Sequence, residues 1–110
     1  MKKAKIYMHD KWAGILWEDQ DGFHFQYENS YLKQTEVEAI SLTLPISNEE
    51  YKSQSLFPFF DGLIPEGWLL DIAEKNWKIN FRDRMSLLLA TCRNCIGAVS
   101  VQHFTAEDNG

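Results

Sequence analysis

The chain is 110 residues long, 45% hydrophobic and 25% charged, with a formal net charge of −5. That length suits one domain with a real core, and the acidic balance argues against a protein that tracks a nucleic-acid backbone, which needs clustered Lys and Arg. Two cysteines cannot make a disulfide framework, no long apolar stretch follows the basic start, and no apolar run approaches the roughly 20 residues of a bilayer span, so the chain reads as cytoplasmic and free of the membrane.

The basic cluster Lys2, Lys3 and Lys5 reads as a solvated terminal run. Residues 4–9 then alternate, with Ile6 and Met8 on one face and Lys5, Tyr7 and His9 on the other, which predicts a strand. Asp10-Lys11 is a short polar gap, so a hairpin into a second strand over 12–18 is expected. Asp19-Gln20-Asp21-Gly22 is a turn, and 23–27 alternates as a third strand with His24 on its polar, outer face. Residues 28–38 are polar and follow no single period, though a short helical turn at Tyr31-Leu32 fits them. Ile40, Leu42 and Leu44 alternate with Ser41 and Thr43, which predicts a fourth strand ended by Pro45.

Helices are expected next. Ser55 is placed to cap a helix over 57–63, with Pro58 in its first turn. Pro65 and Glu66 suit the start of a second helix running to about 77. Asn80 is placed to cap a third, Asp83 stands where a capping-box acid would, and Phe81, Met85, Leu88, Leu89 and Cys92 form its buried stripe. Asn94 is a stop signal, and 96–101 is the last strand. The order predicts one α+β domain over 1–104: a small antiparallel sheet, flat or curled towards a barrel, with about three helices packed on it. Residues 105–110 form a polar tail.

The aromatic content is high, with four Trp, four Tyr and seven Phe, more than a minimal core requires. It concentrates in 56–70, where three Phe and Trp68 surround two prolines and two glycines. Proline and glycine fix a bent backbone path, and aromatics carried on a rigid elbow are suited to anchoring a protein partner.

Catalytic constellations are not legible. Cys92-Arg93-Asn94-Cys95 is a C-x-x-C, but it falls at the end of a helix, where the dipole disfavours thiolate. A zinc site needs about four ligands, and His9, His24 and His103 are scattered over separate elements. His24 reads as a surface histidine rather than a base. Asp61 and Glu66 fit helix capping as well as a two-carboxylate site. Phosphate-cradling loops and kinase signatures are absent, so no cofactor, metal or enzymatic activity is expected.

Phe59-Phe60-Asp61-Gly62-Leu63-Ile64-Pro65-Glu66-Gly67 resembles the F-F-D/E-N/G-L-x-P-E/D-G element in the N-terminal subdomain of HipA-type toxin kinases. Ile40-Ser41-Leu42-Thr43-Leu44-Pro45 resembles that family's S-L-S-L-P-like strand, Ala13-Gly14-Ile15-Leu16 its V-G-x-L hairpin, and Ile96-Gly97-Ala98-Val99 its closing strand. A full HipA continues into a second subdomain and a kinase domain, which this sequence lacks. The likeness is therefore to the small, HipS-like subunit of split HipBST-type systems. It implies a non-catalytic antitoxin subunit that binds and neutralises a HipA-like (HipT-type) Ser/Thr kinase, with a HipB-like DNA-binding protein as a third member of the complex. The elbow residues Phe59, Asp61, Ile64, Pro65, Glu66, Gly67 and Trp68 are the expected partner-binding residues. The alternatives are a structural subunit that completes the kinase assembly without inhibiting it, and a thiol or zinc protein built on the C-x-x-C.

Overall fold

The computed structural model describes residues 2–64, 83–91 and 98–103. Five strands are formed by β1 (Lys2–Met8), β2 (Lys11–Asp19), β3 (Gly22–Tyr27), β4 (Tyr51–Ser53) and β5 (Val99–His103). They make one sheet in the order β4-β3-β2-β1-β5, antiparallel at every junction. Three helices lie among the described residues: α1 (Asn29–Leu32), α2 (Pro58–Asp61) and α3 (Arg84–Thr91). The fold is α+β, as the sequence predicts. The sheet is open, ending at β4 and β5, so the curl towards a barrel does not reach closure. Among the described residues no helix is long and apolar enough to cross a membrane.

Period-two alternation builds the core side of the sheet. Ala4, Ile6 and Met8, Leu16, Phe23, Phe25 and Tyr27, and Val99 and Val101 are all buried. Helix α3 covers β1 and β5 and meets α2, burying Met85, Leu87 and Leu88. A bulge interrupts the first hairpin: Ile6 faces Gly14 but Tyr7 faces Trp12, so Ala13 is the extra residue. Gly14 is required there. A Cβ on it would lie 2.6 Å from the Gln26 carbonyl oxygen and 2.8 Å from the Phe25 ring.

Several elements differ from the sequence expectation. The stretch 40–44 is not a strand but a tight turn closed by an isolated Ser41–Leu44 bridge, and the fourth strand is Tyr51–Ser53. Ile40 and Leu44 are buried while Leu42 points out, because the turn breaks the alternation. The first hairpin turns at His9-Asp10, with Lys11 already in β2 and His9 at φ 57°. Ser55 does not cap the first of the predicted helices; Phe57 precedes α2 in extended conformation, and the helix spans four residues. Asp83 is itself the cap of α3 rather than an acid inside its first turn. Its carboxylate accepts from the Ser86 N–H at 3.1 Å and the Ser86 hydroxyl at 2.8 Å, and its carbonyl accepts the first helical bond from Leu87 at 3.1 Å. Lys2 Nζ lies 2.6 Å from the same carboxylate and fastens β1 to the helix start. Burial alone would raise the Asp83 pKa; the Lys2 and Ser86 donors outweigh it and hold the carboxyl below its ordinary 3.8. The last strand runs two residues later than expected where it is described, ending at His103. The predicted helix over 65–77, Asn80, Phe81, the Cys92–Cys95 pair and the tail lie outside the described residues.

His24 is not a surface residue. It is 4% exposed, with Nε2 2.8 Å from Asp19 Oδ1 and Nδ1 2.9 Å from Glu50 Oε2. Carboxylates only accept, so both bonds are made when both ring nitrogens donate, and the site favours the imidazolium. Trp17 stacks on it at 5.0 Å and 10°, as a π face does under a cation. The hydrogen bond to Asp19 leads the causes that hold the His24 pKa above its ordinary 6.5, ahead of the opposing effect of burial. Asp19 is correspondingly lowered, first by its bond to His24. This lock ties the end of β2 to the approach of β4.

Two outcomes follow. The raised His24 pKa contributes stability that is complete below about pH 6.5 and is lost as pH rises through the folded-state value. Urea midpoints measured from about pH 6 to 9 should therefore fall for the parent and stay flatter for His24→Gln; parallel curves would remove the lock. Gly14→Ala should cost about 1–3 kcal/mol by overpacking, read from the same midpoints, and a loss under ~0.5 kcal/mol would contradict the close approach.

Candidate functional site

The elbow begins where Phe57, extended at φ −53° and ψ 135°, hands the chain to Pro58 in the first position of α2. A ring that presets φ and lacks an N–H suits that position. Asp61 N–H donates to Phe57 O at 3.0 Å, Gly62 to Pro58 O at 2.9 Å, Leu63 to Phe60 O at 3.0 Å and Ile64 to Asp61 O at 3.2 Å. The path is thus a continuous run of turns up to Ile64. Phe60 is the root of the elbow: fully buried, 5.5 Å from the Phe25 ring, 5.2 Å from Phe59 and 6.2 Å from Phe57.

Of the expected partner-binding residues, Phe59 and Asp61 are half-exposed on α2, while Ile64 is buried in the core. Pro65, Glu66, Gly67 and Trp68 lie outside the described residues. Asp61 is paired: Arg84 Nε donates to its Oδ1 at 2.7 Å, with the two side chains 43% and 36% exposed. So exposed a pair adds little stability; its effect is to fix the angle between α2 and the first turn of α3. Arg84, separated from Asp61 by 23 positions, carries no sequence signal for this role.

A second surface feature escaped the sequence reading. The turn at 41–44 is suspended from three tyrosine hydroxyls. Tyr27 donates to Leu44 O and accepts from Ile40 N–H at 3.1 Å. Tyr31 donates to Glu38 O at 2.7 Å and accepts from Glu38 N–H at 3.2 Å. Tyr51 donates to Pro45 O at 2.7 Å. Burial pushes the Tyr27 hydroxyl up to about 12, so it remains a donor at any physiological pH. The hydroxyls of Ser41 and Thr43 and the cluster of tyrosines were the available signals, since such groups compete with strand pairing for backbone partners. Among the described residues, no group of three or more His, Cys, Asp or Glu is disposed to hold a metal ion. A depression lined by Lys2, Glu18, Asp19, Gln20 and Asp21 surrounds the turn from β2 to β3. Its Asp19 is already committed to His24. The arrangement is one of rigid surface features on a packed core, suited to recognition.

Comparison with known proteins agrees with this architecture. A solved structure described as the N-terminal domain of HipA toxin matches with a TM-score of 0.74 at 29% identity, covering 96% of this chain and 95% of that one. An uncharacterized protein of Haemophilus influenzae is 34% identical over 102 residues, 93% of this chain and 92% of its own length. The family model for the HipA N-terminal domain matches residues 4–102, and the chain belongs to that family.

Proposed function

We propose that the chain is a non-catalytic, antitoxin-type subunit that acts in the cytoplasm by binding a HipA-like (HipT-type) Ser/Thr kinase and neutralising it, in a complex that also includes a HipB-like DNA-binding protein. The observation that carries this reading is the Haemophilus influenzae relative, which is matched over 92% of its length. That relative is close to this one domain in extent, which supports a subunit separate from a kinase body. The elbow supports the same reading. Its described half is pinned by Phe60 in the core and by Asp61 on Arg84. A preorganised segment loses little entropy on docking.

The match to a domain of the toxin itself favours a second reading, in which the chain completes the kinase assembly without inhibiting it. Co-expression with the HipA-type kinase of the same genome separates the two. Relief of growth arrest supports neutralisation; unchanged or greater toxicity supports completion.

Trp68→Ala should leave the thermal midpoint nearly unchanged and abolish neutralisation, since loss of a Trp anchor commonly costs ~2–4 kcal/mol, about 30- to 1000-fold in affinity. A variant that unfolds, or that binds the kinase as tightly as the parent, excludes Trp68 as the anchor. The purified chain should neither bind ATP nor autophosphorylate; equilibrium dialysis and phosphate incorporation check this, and activity in either assay overturns the non-catalytic reading.

A further inference from the structure

We propose that the turn tipped by Leu42 is a second docking knob, fitting a protein partner that presents an apolar socket rimmed by lysines and arginines. The inference rests on the reading above, in which that partner is the HipA-type kinase. Leu42 is 99% exposed and Ile46 is 37% exposed, with Pro45 also at the surface between them. An isolated exposed leucine is ordinary, but this one is presented on a braced support. Leu44 N–H donates to Ser41 O at 3.1 Å, Thr43 N–H to Ser41 Oγ at 3.2 Å, and the two hydroxyls lie 3.0 Å apart. Three tyrosine hydroxyls then hold the backbone on both sides of the turn. Nothing in the fold requires a leucine at a fully solvated tip, and a rigid tip loses little conformational freedom when it enters a socket.

Charge identifies the occupant. Residues 36–50 contain Glu36, Glu38, Glu49 and Glu50 and no Lys or Arg, and all four glutamates are exposed. Glu50 is engaged with His24 and Lys52; Glu36, Glu38 and Glu49 flank the apolar tip in sequence. A second copy of the chain would bring the same acids together, and a nucleic acid would add phosphates to them. A basic-rimmed protein surface removes the repulsion and gains complementary potential, with an on-rate that depends on salt.

The test uses the full chain and a catalytically inactive form of the HipA-type kinase from the same genome, with affinity measured by calorimetry at low, physiological and high salt. Leu42→Ser should bind roughly ten- to hundredfold more weakly, the loss of one buried leucine, with an unchanged thermal midpoint. A triple variant Glu36→Gln, Glu38→Gln, Glu49→Gln should bind more weakly at low salt and converge on the parent at high salt. The inference is overturned if Leu42→Ser binds within about twofold of the parent, well short of a hot-spot loss. It is also overturned if that variant melts several degrees lower, or if it converts a parental dimer to monomer on gel filtration. A parent that does not bind the kinase at any salt removes the proposed function and this inference with it; a parent that binds while Leu42→Ser is undiminished removes this inference alone.

Discussion

Phe25 organises the molecule. Its ring lies against the bare Cα of Gly14 across the sheet, meets Tyr27 edge-on at 4.9 Å and 78°, and packs on Phe60 at 5.5 Å. Tyr27 in turn stacks on Tyr31 at 6.2 Å and 9°. A single run of aromatics therefore passes from Tyr31 through the centre of the sheet to the root of the elbow. Geometry of this kind adds to the area that the rings bury. Both surface features hang from it: the 41–44 turn from the tyrosine end, and α2 from the phenylalanine end. The missing side chain of Gly14 makes room for the ring on which that continuity depends.

The polar contacts do a different task. His24 between Asp19 and Glu50, Asp61 on Arg84, and Lys2 on Asp83 each join segments distant in sequence. Two of these three involve half-exposed groups, whose net worth is small. Their value is angular. Each fixes how one short element meets another where helices of four residues have little cooperative stability of their own. His24 is the exception, since burial makes its loss of either carboxylate expensive.

The meander was legible in the sequence because Ile6 and Met8, Leu16, and Phe23, Phe25 and Tyr27 recur at period two, and because Asp19-Gln20-Asp21-Gly22 is unambiguous turn chemistry. The 40–44 stretch shows the limit of that signal. Ile40, Leu42 and Leu44 alternate as a strand would, yet a turn with its ends inside and its tip outside gives the same pattern. Tyr51-Lys52-Ser53 is too short to show any period and pairs with β3 because Phe23, His24 and Phe25 offer a free edge. His24 obeyed the alternation, on the face opposite Phe25, but its burial comes from carboxylates 5 and 26 positions away. Half of the elbow was placed correctly as a bent path with Pro58 at a helix start. The pairing of Asp61 with Arg84, like every contact set by tertiary approach, left no local trace.

The position of β5 constrains how the protein is made. β1 is flanked by β2 on one side and by β5 on the other, with Ala4 opposite His103. During synthesis the meander can form as soon as β3 leaves the ribosome, since its pairings are local. The opposite edge of β1 must then wait for nearly the whole described chain, together with α3, which shields the core beside it. Contacts so far apart in sequence close late and slowly. A nascent chain consequently carries an unpaired strand edge and uncovered apolar side chains through most of its translation, the state in which chains associate wrongly. A gene order or translation rate that brings a binding partner to the ribosome early would shorten that exposure.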